Sequence, residues 1–159
     1  MITQSELREL LHYDPLTGVF TWLIANGRRI HVGDEAGWEQ SRGYRQITIN
    51  NKMYLASRLA WLYMIGVWPK NLIDHIDTNQ HNNKWDNLRE ATHSQNKCNT
   101  TLTKANTTGV KNVSYNSRKR KWKVQISKKF LGYFDKIEDA EAVAKIKRKE
   151  LHGDFARDK

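Results

Sequence analysis

The sequence predicts an α+β fold, and three patterns carry that expectation. Short segments rich in aromatic and β-branched residues, bounded by Gly, Pro and Asn, read as strands near both ends of the chain. Two segments, Ala56 to Ile65 and Ile137 to Leu151, switch to a helical period. Between them a strand, a long polar loop, a second strand and a short helix follow in order. With 159 residues, 38% hydrophobic and 28% charged, the chain has the composition of a soluble globular protein and room for one ordinary domain or two small ones.

Thr3-x-x-Glu6 has capping-box spacing, and Leu7, Leu10 and Leu11 follow at helical intervals, so a short helix opens the chain. Asp14-Pro15-Leu16-Thr17-Gly18 breaks it with a turn, Val19 to Leu23 reads as a strand, and Gly33, Gly37 and Gly43 punctuate the loop beyond. Tyr44 to Ile49 and Lys52 to Leu55 flank Asn50-Asn51, a two-residue hairpin turn. The helix from Ala56 carries Leu59, Ala60, Leu62 and Tyr63 on its period, with Gly66 just past its end. Asn71 to Asp77 and Asn87 to Ala91 are the strands around an Asn-rich loop, and Ser94 to about Leu102 is the short helix.

Lys104-Ala105-Asn106-Thr107-Thr108-Gly109 is small and polar, the composition of a linker. Three strands follow, Val110 to Tyr115, Trp122 to Ile126 and Phe130 to Phe134. In the middle one Trp122, Val124 and Ile126 share a face while Lys123, Gln125 and Ser127 share the other, so one face packs and the other meets a ligand. The helix at 137–151, with Ala140, Val143, Ala144 and Lys147 at helical spacing, covers the packed face. Trp122, Phe130 and Phe134 are read as core on that side, as are Trp61 and Trp68 elsewhere.

The net charge of +10 is uneven: residues 107–159 hold 15 Lys/Arg against 7 Asp/Glu (+8), and residues 1–106 hold 12 against 10 (+2). A polyanion grip is therefore C-terminal. The densest cluster, Arg118-Lys119-Arg120-Lys121-Trp122-Lys123, leads into an alternating strand and not into a basic amphipathic helix, which favours nucleic acid over a membrane surface. Cys98 is the one cysteine, which excludes an intramolecular disulfide and a Cys-rich zinc site. With no apolar run of about 18 residues and no basic n-region ahead of an apolar stretch, the expected location is the cytoplasm.

The stretch with the most chemistry is Asp74-His75-Ile76-Asp77, followed by Asn87-Leu88-Arg89 and Asn96. Phosphodiester hydrolysis needs a nucleophile made from water and neutralisation of charge on the phosphate and leaving oxygen. A neutral imidazole, with an unperturbed pKa of about 6.5, suits the base, and His75 offers it. A hard divalent cation takes oxygen ligands, which Asp74 and Asn96 offer. Adjacent strand residues point to opposite faces, so Asp74 and His75 serve one phosphate only if the strand twists strongly or the cation sits at its edge. Asn82 and Asn83 are read as loop formers. His81, His93 and His152 are read as exposed, with His93, one helical turn before Asn96, the alternative ligand. Cys98 is read as a small buried residue.

Arg58-Leu59-Ala60-Trp61, Trp68-Pro69, Asp74-His75-Ile76-Asp77, the run Asn82 to Thr92 and Gln95-Asn96 resemble the HNH endonucleases of phages and their homing relatives, over residues 54–100. The segment Tyr13 to Trp22, with Gly43-Tyr44, resembles the lead-in that often precedes this nuclease. The resemblance implies a ββα-metal core with His75 as general base, Asp74 as metal ligand, and Asn87 bracing the loop and orienting the histidine. Asn96 stands at the final ligand position, often histidine, and its amide oxygen suits Mg2+ or another hard cation such as Mn2+.

Thr108 to Val113, Lys121 to Ile126, Leu131 to Asp135, Glu138 to Ala142 and Leu151 to Ala156 resemble the ethylene-response-factor (APETALA-type) DNA-binding domain often fused to such nucleases. That resemblance implies a three-stranded antiparallel sheet in the major groove, with Lys111, Ser114, Asn116 and Ser127 facing duplex DNA. The alternation adds Lys123 and Gln125, and the hairpin tip adds Arg118, Arg120 and Lys121. The expected organisation is a β-rich lead-in (1–53), a nuclease core (54–106) and a DNA-binding domain (107–159). The expected activity is metal-dependent cleavage of duplex DNA, one strand at a time in a monomer, with no protein partner required. The alternatives are a DNA-binding regulator with an inactive site and a binder of structured RNA.

Overall fold

A computed structural model of the chain describes residues 1–25, 29–41, 43–102 and 105–157. It is the α+β protein that the periodicities predict, with N-terminal strands, a helix in the central region and a C-terminal three-stranded sheet packed on a helix. The chain divides into two compact units, Met1–His93 and Ser94–Lys159.

In the first unit, α1 (Gln4–Leu10) starts at the expected capping box: Glu6 N–H donates to Thr3 Oγ1, and Thr3 N–H donates to Glu6 Oε2. The helix stops one residue short of Leu11, because Leu11 and Tyr13 bury completely as alternate residues of a strand with exposed His12 between them. This strand, β1 (Leu11–Asp14), pairs antiparallel with β2 (Val19–Trp22), a hairpin that the helical spacing of Leu7, Leu10 and Leu11 had hidden. Its turn is fixed by Asp14, whose carboxylate accepts from Leu16 N–H (2.9 Å) and Thr17 Oγ1 (2.8 Å).

A second sheet orders β3 (Trp38–Glu39), β4 (Arg45–Ile49) and β5 (Lys52–Leu55). Asn50 and Asn51, at φ 49° and 58°, make the two-residue turn with both φ positive that matches strand twist. Next, α2 (Ala56–Ile65) buries Ala56, Leu59, Ala60 and Leu62, and ends where the Gly66 N–H donates to Leu62 O with Gly66 at φ 90°. Then β6 (Leu72–His75) and β7 (Leu88–Ala91) form an antiparallel ribbon. One core takes Leu7, Leu11, Tyr13, Phe20 and Trp22 from the first hairpin region, Ile47 and Ile49 from β4, Leu59 and Leu62 from α2, and Leu88 from β7. Each such side chain contributes about 1.5–3 kcal/mol by leaving water, so the hairpin and α2 stabilise one another and, through Leu88, the ribbon.

The second unit begins within α3 (His93–Cys98), which is shorter than the expected helix. Lys104 lies outside the described residues; beyond it Asn106 Oδ1 accepts from Thr108 N–H (3.0 Å) and Gly109 N–H (2.8 Å), and its amide donates to Val110 O. These turns delay the strand expected from Val110 until β8 (Val113–Asn116). With β9 (Lys121–Ile126) and β10 (Lys129–Phe134) it forms an antiparallel sheet with β9 in the centre. Val113, Val124, Trp122 and Phe134 pack with Ala140 and Ala144 of α4 (Ile137–His152). One helical turn on, buried Arg148 donates to Lys111 O (2.7 Å), tying α4 to the start of β8. Phe130 is not core: β10 slips register between Phe130 and Gly132, leaving Phe130 opposite Gln125 and 50% exposed.

Candidate active site

His75 is the last residue of β6 and is buried. Its Nε2 lies 3.1 Å from Asn83 Oδ1. The Asn83 amide nitrogen points to His81 O at 3.4 Å, and turning the amide over would set two oxygens face to face. Asn83 therefore turns its Oδ1 to the ring, and in that pairing Nε2 is the donor. The role that the resemblance gives to Asn87 divides between two residues. Asn87 braces the loop: its Oδ1 accepts from Asp77 N–H (3.0 Å) and its amide donates to Asp77 Oδ1 (2.9 Å) and Asn82 O (2.8 Å). Asn83, read from sequence as a loop former, is the side chain that meets the imidazole. Asn82 does form loop, donating to Asp77 Oδ2 at 2.7 Å and accepting from Lys84 N–H.

Asp77 is the hub of this loop. Burial pushes its carboxyl up, but hydrogen bonds from Asn82, the Asn79 N–H and Asn87, with the nearby His75, outweigh that and hold it below its ordinary value of 3.8. The Asn83 carbonyl accepts from the Tyr13 hydroxyl at 2.7 Å, and Pro15 O accepts from Trp85 N–H at 3.0 Å, so the β1–β2 hairpin carries the loop on its turn. Tyr13 is fully buried, and burial first, then the charges of Asp14 and Asp86, push its phenol far above the ordinary range, so it stays a donor.

Asp74 takes a different partner from its neighbour. It lies opposite Arg89 in the ribbon, and Arg89 Nη2 and Nε both reach Asp74 Oδ2 at 2.8 Å. Adjacent on β6, Asp74 and His75 thus take different partners. Among the described residues no cluster of three or more His, Cys, Asp or Glu could hold a metal. Asp74 nonetheless fits a hard cation. It is a buried carboxylate, and magnesium is often held by one or two carboxylates with water and substrate phosphate; a cation there would share Asp74 with the Arg89 guanidinium at Oδ2. Asn96 lies on α3 in the second unit and is half-buried, while His93 is exposed. Arg89, part of the quoted motif but given no role from sequence, is the residue that makes a buried Asp74 tolerable.

On the second unit, Ser114, Lys123 and Tyr133 form one row across the three strands, and Gln125 and Phe130 form the next. Phe130 and Tyr133 rings lie 5.0 Å apart, with Lys119 Nζ 4.4 Å from the Tyr133 ring. Arg118 and Arg120 stand exposed at the β8–β9 turn. Other expected contacts are engaged differently. Lys111 Nζ donates to Cys98 O and Thr100 O, Lys121 pairs with Asp135 at 3.0 Å, Asn116 Oδ1 accepts from Lys119 N–H, and Ser127 sits in the β9–β10 turn at φ 47°. Cys98 is half-buried, with its thiol against Ser94 O and His152 Nδ1.

A nuclease is the class of protein that residues 54–98 point to: they match the model of the HNH endonuclease family and hold the histidine, the carboxylate and the braced Asn loop on a strand pair. The chain belongs to that family. It is similar to Protein 3.8 of Escherichia phage T7, at 38% identity over 101 residues that cover 61% of this chain and 84% of that protein. No solved structure matches it. No helix among the described residues is long and apolar enough to cross a membrane.

Proposed function

We propose that the chain is a metal-dependent endonuclease that nicks duplex DNA, with His75 as general base and the C-terminal sheet as its DNA anchor. The observation that carries this reading is the buried His75 at the end of β6, its Nε2 3.1 Å from Asn83 Oδ1, beside the loop braced by Asn87. A lone pair on a fixed ring takes the proton from water as it attacks phosphorus, and the imidazolium so formed sits beside the Asn83 oxygen and near the Asp77 carboxylate. A bound Mg2+ supplies charge neutralisation at the phosphate and leaving oxygen. Asp74 is the ligand that the first unit offers, and Asn96 is the second ligand that the resemblance implies.

The C-terminal module, of the ethylene-response-factor type in this reading, presents Ser114, Lys123, Gln125, Phe130 and Tyr133 on its outer face, and the exposed Arg118 and Arg120 at the tip support contact with phosphates. Residues 54–106 then do the chemistry with 1–53 as lead-in. The test is plasmid nicking with magnesium and with EDTA: the wild type nicks only with metal, and His75→Ala binds the plasmid but does not nick. Metal-independent nicking, or equal nicking by His75→Ala, overturns the reading. A wild type that binds DNA without nicking under all divalent ions makes the chain a regulator instead.

A further inference from the structure

We infer that Asn83 is the positioning residue that sets the tautomer of His75, and that the N-terminal β1–β2 hairpin is the element that holds Asn83 there; this rests on the nuclease reading of His75. Three observations converge on residue 83. Its side-chain Oδ1 lies 3.1 Å from His75 Nε2, and its amide nitrogen faces the His81 carbonyl at 3.4 Å. Its own carbonyl accepts from the Tyr13 hydroxyl at 2.7 Å, inside the core. Gly18, at φ +76°, presses on the same peptide so closely that a Cβ there would lie 2.4 Å from Asn83 C, 2.5 Å from Lys84 N and 2.8 Å from Asn83 O. Trp85 N–H closes the attachment by donating to Pro15 O.

Which imidazole nitrogen carries the proton is set by the hydrogen bond that the other makes, and a base with its proton on the wrong nitrogen cannot accept from water. A loop that carries residue 83 away from the ring loses that bond. The residues of the hairpin turn, Asp14 to Gly18, therefore act on the chemistry through Asn83 without touching substrate. Tyr13 contributes one directed hydrogen bond, and Gly18 contributes the absence of a side chain.

The experiment uses full-length 15N-histidine-labelled protein without metal, at a pH where the ring is neutral, with His75 signals identified by their loss in His75→Gln. The wild type is expected as the Nε2–H tautomer. Asn83→Ala is expected to mix the two tautomers, Tyr13→Phe and Gly18→Ala to move the same way by less, and Asn83→Asp, which keeps an acceptor oxygen, to keep Nε2–H. In nicking assays Asn83→Ala is expected to lower kcat by about 10- to 100-fold, the usual loss for a histidine-orienting partner, at unchanged KM. A wild-type Nδ1–H tautomer, or an Asn83→Ala protein that folds and keeps pure Nε2–H, overturns the inference. If the folded chain nicks no DNA, the nuclease reading fails while the tautomer measurement still decides the part played by Asn83.

Discussion

In the proposed reading His75→Ala removes a base that acts on water in the transition state, so nicking should fall by about 10²–10⁴-fold while DNA affinity, read by gel shift, stays within about twofold. Arg89→Ala strips a buried carboxylate of its counter-charge, and urea unfolding should report a loss of about 3–5 kcal/mol. If Asp74 is a metal ligand, millimolar Mg2+ should then restore more stability to this variant than to the wild type, because the cation meets an oxygen that no guanidinium occupies. Equal responses to Mg2+ would sink that ligand assignment. At this scale the sequence points to Asp74, His75 and Asn87 by an order and spacing that repeat a family motif, and the structure has the first two at the end of β6 and the third just before β7. Asn83 was misread because one Asn in an Asn-rich loop looks like another until the fold brings a ring to it. Phe130 was misread because the register slip in β10 cannot be counted from alternation.

The loop between β6 and β7 is an element whose stability should follow pH. The Asp77 carboxyl is held below its unfolded value, so its contribution is complete above about pH 4 and is lost as pH falls through the lower, folded value. Asp77→Asn should melt below the wild type at pH 7, and the gap should narrow in melts taken at pH 3. Asp14, held low chiefly by the Leu16 N–H and the Thr17 hydroxyl, adds an acid dependence of the same sign at the hairpin turn, so the variant should keep part of it. Helix α2 and the hairpin at Asn50-Asn51 were legible because period and turn chemistry are local. The β1 strand was not, since Leu7, Leu10 and Leu11 fit a helix and only pairing with β2 favours the extended form.

Across the whole molecule the charge split of +8 against +2 separates grip from chemistry in the proposed reading. Each neutralised phosphate contributes about 0.9 to the slope of log affinity against log salt. Arg118→Gln with Arg120→Gln should flatten that slope by up to about 2 units, whereas Lys121→Gln should change it less, because Asp135 already neutralises that ammonium. Phe130→Ala should weaken binding with no change in slope, having no charge to lose. Filter binding from 50 to 300 mM salt, ranges of order set by the same counterion argument, separates these outcomes. A slope unmoved by the double arginine variant removes the tip from the interface.

The single core of Met1–His93 also bears on how such nucleases can exchange parts. Phe20 and Ile47 pack in one cluster with Leu59 and Leu62, and Gly18 fits only against the backbone of its own loop at 83–84. A crossover near residue 53 between two diverged relatives would join halves whose interlocking surfaces had drifted apart, whereas one near residue 93 would carry the whole cluster intact. Chimeras joined at the second position should express and melt like their parents, and those joined at the first should not. The hairpin and the catalytic loop are thus inherited as one cassette.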